Sequence, residues 1–320
     1  MDIPATLEGR SGHGVERRRG RSLFDTPDAR LDAAQARLLE LGEAAAQRHL
    51  TLVGNGSVHH LELGRGRPLV LLHGAGGGGA NWYRLLRGLS IGRRVIAPDL
   101  PGFAHSDPIA LSAPLGRSTA RTIGQWLRQV VPTGCDVVAT SSGGLIAMRL
   151  AQAQPVPIGR IALIDTVGLG RELPWLVRIA ATRAGGAVLL RRSTRLGIRA
   201  QLRLLMTSAR LPCAHEDALV EYLHASSAME CARDFPQALR LFGGLRGQAE
   251  VLGDAELRAL RLPVLLAWGE HDRFLPRAHA ERALRLLPDA RLAVIPGAGH
   301  SPNWERPEAL HARLQPFLDA

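Results

Sequence analysis

The sequence has no lysine, so all 40 of its basic residues are arginines. It therefore cannot carry a GxxxxGK[ST] phosphate loop, which argues against that class of nucleotide site. Three cysteines, Cys135, Cys213 and Cys231, are too few and too scattered for a disulfide framework or a zinc site, and they fit a reducing compartment. No apolar run approaches the roughly 18 residues of a transmembrane helix. The first 25 residues hold an arginine cluster, Arg17, Arg18, Arg19 and Arg21, but not the apolar stretch that completes an export signal. Together these absences predict a cytoplasmic protein.

What is present is an ordinary globular composition, 46% hydrophobic and 22% charged, over 320 residues. That length suits a large core domain carrying a smaller inserted or appended one. Arginine is used uniformly along the chain, as codon bias in a GC-rich genome produces, and no nucleic-acid partner is expected. The net charge of +11 is nevertheless uneven. Residues 1–50 balance eight arginines with eight acids, whereas Arg171 to Arg210 sets nine arginines against Glu172 alone.

The first 25 or so residues lack apolar periodicity and read as disordered. A helix follows, with Thr26 as N-cap, Pro27 at its first position and Asp28 at the positive end of its dipole. After two short strand-like runs, "PLVLLHG" is a continuous apolar run bounded by turn residues, the mark of a strand buried on both faces. Helix and strand then alternate: "ANWYRLLRGL" and "RVIAPD", "STARTIGQWLRQVV" and "CDVVATS", "GGLIAMRLAQA" and "RIALIDT". This is the signature of βαβ units and a parallel sheet. Alternation stops after Asp165 for some 75 mostly helical residues and resumes with "PVLLAWGEHD". The predicted organisation is an N-terminal extension over 1–48, an α/β core over 49–165 and 241–320, and a helical cap over 166–240.

One stretch carries the chemistry. "VVATSSGGLIA" puts Ser141 and Ser142 at the end of a buried strand, just before a helix. A side chain there stands at the positive end of the helix dipole, where developing negative charge is favoured. Such a strand-to-helix elbow is tight, so the residues two before and two after a nucleophile must be small. For Ser141 these are Ala139 and Gly143. For Ser142 they are Thr140 and Gly144, and the branched threonine fits badly. Ser141 is thus the better nucleophile, with Ser142 lending its backbone N–H. Read alone, the stretch is also what a serine helix cap looks like.

Further motifs end other strands. "LVLLHGAGGGGANW" supplies a glycine loop after His73, where acyl transfer needs a second oxyanion N–H, and Ala75 is the candidate. "LLAWGEHDRFLP" brings Asp272, and "LAVIPGAGHSPNWERPE" brings His300. The chain order is Ser, Asp, His, each at a strand's carboxyl end, where open α/β sheets build their sites. Asp165, also at a strand end, is the alternative acid.

From about residue 50 onward the sequence resembles the α/β-hydrolase superfamily, in the branch of microbial esterases and carbon–carbon bond hydrolases. "HGAGG", "DLPGFAHSD", "ATSSGG" and "WGEHDRFLP…GAGHSPNWERPE" carry the likeness. It implies an α/β-hydrolase fold, a mostly parallel sheet with helices on both faces and a helical cap. It also implies Ser141 as nucleophile, His300 as base and then acid, Asp272 as the carboxylate orienting it, and the N–H groups of Ala75 and Ser142 as oxyanion hole. Gly74, Gly76 and Trp175 are expected to line the substrate cleft. No metal or organic cofactor is needed. The elbow has Ala139 where the family usually has glycine, and Ala104 replaces the usual second glycine of "GFGHSD". A serine nucleophile argues against dehalogenase and epoxide hydrolase activity. Ser301 stands where several carbon–carbon hydrolases carry tryptophan.

The expected activity is cleavage of an ester or thioester through an acyl-enzyme. Carbon–carbon hydrolysis or acyl transfer on the same triad is the alternative, and a ligand-binding module with an idle triad is the non-enzyme one. The substrate is a small acyl compound, anionic or carrier-linked if the cap charge takes part. Arg191, Arg195, Arg199 and Arg203 recur every four residues opposite Leu196, Ile198, Leu202 and Leu205, which reads either as a solvated face or as an anion-attracting stripe. His59 and His60, on alternate faces of a strand, read as surface residues unable to share a metal. His105 reads as structural.

Overall fold

Hydrophobic residues in the central strands alternate between two cores. The structure, a computed structural model, describes residues 26–189, 193–206 and 211–320. Its strands are β1 (Gln47–Val53), β2 (Gly56–Leu63), β3 (Arg67–Leu72), β4 (Arg93–Pro98), β5 (Cys135–Thr140) and β6 (Ile158–Ile164), then β7 (Gly243–Gly244), β8 (Gly247–Gln248), β9 (Val264–Gly269) and β10 (Ala290–Ile295). All but β7 and β8 form one sheet in the order β1-β2-β4-β3-β5-β6-β9-β10. It is parallel from β4 to β10 and antiparallel at the β1–β2 and β2–β4 pairings. Leu69 and Leu71 of β3 face one core, and Val70 and Leu72 the other. Period-two alternation needs apolar residues at every position when both faces are covered, which is why these strands read as unbroken runs.

The covering helices follow the chain. On one face lie α1 (Pro27–Leu41) and α2 (Tyr83–Leu89), and on the other α3 (Leu115–Val130) and α4 (Ser142–Ala153). Between β6 and β9 come α5 (Trp175–Ala180), α6 (Arg183–Leu189), α7 (Arg195–Leu205), α8 (Cys213–Ser227), α9 (Phe235–Phe242) and α10 (Asp254–Arg258). The chain closes with α11 (Ala278–Leu286), α12 (Pro302–Glu305) and α13 (Pro307–Asp319). Among the described residues no helix is long and apolar enough to cross a membrane.

Two details differ from expectation. The β7–β8 ladder was not anticipated. It packs on residues 171–173, with the Gln248 N–H donating to the Arg171 carbonyl at 2.8 Å, so packing is continuous across the boundary expected at 240/241. His59 and His60 are buried, not on the surface. The His105 ring packs on His59 with centroids 4.8 Å apart, and Trp126 of α3 meets the His60 ring edge-on with centroids 5.3 Å apart. Residues 1–25, read as disordered from the sequence, lie outside the described residues, as does Arg191 of the arginine stripe.

Helix α1 is firmly attached. Thr26 Oγ1 accepts from the Ala29 N–H at 3.2 Å, and Leu31, Gln35 and Leu38 are buried against α2 and α8. Asp32 links it to the sheet through Arg48 at 2.6 Å and His105 at 2.9 Å.

Candidate active site

The carboxyl ends of β3, β5, β6 and β9 meet along one edge. At the end of β5, Ser141 takes φ 51° and ψ −121°, a conformation that non-glycine residues rarely adopt. The turn is held by backbone bonds on both sides. The Ser141 N–H donates to the Ile164 carbonyl at 3.0 Å, and the Ser141 carbonyl accepts from Gly144 at 3.1 Å and Val167 at 3.2 Å. Small residues make this possible. A Cβ on Gly143 would lie 2.5 Å from the His73 carbonyl, and one on Gly144 would lie 1.7 Å from Thr166 Oγ1. Ser141 stays partly exposed at the start of α4.

The glycine loop after β3 packs directly on this elbow. A Cβ on Gly74 would come within 2.9 Å of Ser141 Cβ. Gly76 and Gly77 have φ of 86° and 74°, the region that glycine enters freely, and the loop turns there. Asn81 Nδ2 donates to the Gly76 carbonyl at 2.9 Å, and Asp99 accepts from the Gly79 N–H at 2.6 Å. His73 braces the loop, donating to the Gly74 carbonyl at 2.6 Å and accepting from the Leu100 N–H at 2.8 Å. Among the described residues, the N–H groups of Ala75 and Ser142 have no internal acceptor.

Three predicted side chains form one hydrogen-bonded chain. His300 Nε2 lies 3.2 Å from Ser141 Oγ, and its Nδ1 lies 2.9 Å from Asp272 Oδ2. Asp272 Oδ1 accepts from the N–H groups of Phe274 at 2.7 Å and Leu275 at 3.0 Å. Burial works to raise the Asp272 pKa, but the His300 imidazole and these N–H groups outweigh it and hold the carboxyl below its ordinary value. The arrangement can pass a proton from the serine to the imidazole while a fixed carboxylate stabilises the resulting cation.

Asp165, the alternative acid, makes no bond to the histidine. It is fully buried at φ 41° with Oδ1 accepting from the Gly269 N–H at 2.8 Å. Burial first, then the neighbouring Asp272 charge, pushes its pKa well above the carboxylate range.

Several contacts escaped sequence reasoning. The His300 N–H donates to the Leu205 carbonyl at the end of α7, 2.9 Å away. Phe274 packs on the His300 ring at 4.6 Å. Buried Glu305 accepts from the N–H groups of Gly299 and Ser301 and so fixes the histidine loop. Phe103 packs on His73, and Phe235 on Phe103, forming an aromatic wall beside the glycine loop. For Phe274, Glu305 and Phe103 the sequence signal was their nearness to the motifs, whereas Leu205 and Phe235 lie far from any motif.

Other expectations need correction. Trp175, expected in the cleft, begins α5 with 70% of its surface exposed, whereas Trp82 and Trp304 are packed inside. The arginine stripe is not uncompensated, because α8 supplies the acids. Arg195 pairs with Glu221, and Arg199 with Asp217 and Glu216. Of the stripe's apolar side, Ile198 and Leu202 are buried while Leu196 is exposed.

His59, Asp99 and His105 gather near the glycine loop, with His59 Nδ1 at 2.8 Å and His105 Nδ1 at 3.4 Å from Asp99 Oδ2. Arg48 donates to His59 Nε2, so the ring's proton sits on Nδ1 and is given to Asp99. The cluster thereby acts as a brace between α1, β2 and the loop after β4.

Comparison with known proteins agrees with this architecture. A family model described as "Alpha/beta hydrolase family" matches residues 69–313. A 2-hydroxy-6-oxo-6-phenylhexa-2,4-dienoate hydrolase of Burkholderia cepacia is 27% identical over 293 residues, 88% of this chain and 99% of that protein. Polyketide synthase ThaQ of Burkholderia thailandensis is 32% identical over 90% of this chain, although the match spans only 13% of that much longer protein. The crystal structure of naproxen esterase (carboxylesterase NP) from Bacillus subtilis superposes with a TM-score of 0.74 at 25% identity, covering 93% of this chain and 100% of the esterase. With its eight-stranded sheet and a family match over most of its length, the chain belongs to the alpha/beta hydrolase family.

Proposed function

We propose that this protein hydrolyses a carbonyl substrate through an acyl-enzyme on Ser141. The observation that carries the reading is the continuous chain from Ser141 Oγ through His300 to Asp272, set in a strained elbow facing two N–H groups without internal acceptors. His300 takes the Ser141 proton as Oγ bonds to the carbonyl carbon. The N–H groups of Ala75 and Ser142 stabilise the oxyanion, each worth about 3 kcal/mol. His300 then hands its proton to the departing group, and water, deprotonated by His300, releases the acid and restores Ser141.

The bond we favour is a carbon–carbon bond beside a ketone. Support comes from the dienoate hydrolase, which matches this chain over nearly all its own length. The leaving carbon requires a proton, and His300 is the group placed to deliver it. Ester cleavage is the second reading. It is supported by the naproxen esterase, which superposes on more of this chain, and by Ser301 at a position where several carbon–carbon hydrolases carry tryptophan.

The deciding measurement is kcat/KM for 2-hydroxy-6-oxo-6-phenylhexa-2,4-dienoate, followed by loss of its conjugated absorbance, against a series of p-nitrophenyl esters. A clear preference for the dienoate supports the first reading, and ester turnover without dienoate cleavage replaces it with the second. Turnover of both that survives Ser141→Ala ends both.

A further inference from the structure

Asp165 has no part in the reaction just described, yet it lies beside the residue that orients His300. Gly269 holds the two together, since its N–H donates to Asp165 Oδ1 at 2.8 Å and its carbonyl accepts from the Asp272 N–H at 3.2 Å. The Asp165 backbone is tied to the neighbouring strand as well, its N–H donating to the Ala267 carbonyl at 3.0 Å. Asp165 is completely buried, and among the described residues its Oδ2 has no conventional donor within reach. A buried carboxylate oxygen without a donor is costly, by about 1–3 kcal/mol or more for a charged group. The same oxygen bearing a proton is a donor and needs an acceptor.

Asp272, whose N–H is bonded to the same Gly269, is the neighbouring carboxylate. Its two oxygens already receive His300 and the N–H groups of Phe274 and Leu275, which marks it as the ionised partner. We propose that Asp165 is a positioning residue, kept in its neutral acid form, whose O–H donates to the Asp272 carboxylate and fixes it for His300. Two adjacent buried carboxyls do not both ionise readily, so one proton is shared by the pair. The charged and titratable groups facing Asp165 are Asp272, Glu305 and, through Asp272, His300. Of these the two carboxylates disfavour its ionisation, in the same direction as burial. The proton stays on Asp165 throughout turnover, and no bond to substrate is made.

The inference rests on the serine reading only for its catalytic consequence, so one arm of the test is independent of turnover. Infrared difference spectra of the wild type minus Asp165→Asn at neutral pH should contain the carbonyl stretch of an un-ionised carboxylic acid. Absence of that band overturns the proposal whatever the enzyme's activity. The second arm compares kcat and KM on p-nitrophenyl butyrate. Asparagine suits a positive φ and still donates to Asp272, so Asp165→Asn should retain kcat within about threefold. Asp165→Ala removes the donor and should lower kcat by about 10- to 100-fold at unchanged KM, as loss of a hydrogen bond to a charged group implies. If the alanine variant does not fold, Asp165→Gly, which also suits the positive φ, replaces it. Equal kcat in the donor and donor-free variants overturns the positioning role. Activity that survives Ser141→Ala instead indicts the serine reading and leaves the infrared result standing.

Discussion

The backbone N–H of His300 is bonded to the carbonyl of Leu205, 2.9 Å away, so the last residue of α7 holds the loop bearing the imidazole. A segment inserted between β6 and β9 thereby shares in positioning a group at the edge of the sheet.

Ser141→Ala should lower kcat/KM on any turned-over substrate by about 10⁴-fold or more with the fold intact. Ser142→Ala should cost far less, since only its backbone N–H is needed. Steady-state kinetics and circular dichroism of both variants decide this. A dead Ser142→Ala beside an active Ser141→Ala would put the nucleophile one residue later.

Asp272→Asn should cost about 10⁴-fold in kcat, because the amide no longer fixes the imidazole tautomer. A loss smaller than tenfold would mean that another group orients His300.

Gly74→Ala tests the contact between the glycine loop and the elbow. Its Cβ would lie 2.9 Å from Ser141 Cβ, and displacing either by a fraction of an ångström should reduce kcat by about 10²-fold with little change in Tm. Wild-type kcat in this variant would mean that the loop yields freely.

His60 gives the protein an acid-sensitive point. Burial first, then the nearby His49, lowers its pKa to about 4 from an ordinary 6.5. The unfolded chain therefore binds a proton that the folded one refuses, and stability present above pH 6.5 is lost as pH falls toward 4. The shift corresponds to up to about 3 kcal/mol. Urea unfolding of His60→Gln should show a flatter stability profile across that window, and a slope equal to wild type would remove His60 as the cause.

Because acids of α8 pair with Arg195 and Arg199, Arg195→Glu combined with Arg199→Glu should destabilise by less than about 1 kcal/mol per pair. The KM values of an anionic and a neutral ester of equal chain length should respond alike to salt in wild type and variant. A selective rise for the anionic ester, abolished by the charge reversals, would restore the stripe as a substrate-attracting surface.

The sheet was legible because buried parallel strands such as Leu69–Leu72 and Val137–Ala139 are unbroken apolar runs between turn residues. The residues gathered at its edge were legible because each follows such a run. What escaped depends on pairing between distant segments. The acids that answer Arg195 and Arg199 come from the next helix, 17 to 26 residues on, and local charge counting cannot see them. His59 and His60 read as surface because period-two alternation predicts one outward face, whereas His105 of the loop after β4 packs on His59 and Trp126 of α3 packs on His60. The nearness of Asp165 to Asp272 follows from β6 and β9 being neighbours in the sheet across about a hundred intervening residues.

Helix α1 packs on α8, and α8 in turn lies over the glycine loop. A Cβ on Gly78 would meet Tyr222 Oη at 2.6 Å, and Ser226 Oγ reaches the Gly77 carbonyl at 3.5 Å. A chain shortened to begin after Gly42 would keep the eight strands of the main sheet and Ser141, Asp272 and His300. It would lose the outer support of the helix that presses the loop into shape. The damage would appear as a weakened oxyanion contact rather than as an unfolded protein. Mapping the minimal active fragment by deletion would then count residues 26–42 as catalytic, although their contribution is purely mechanical.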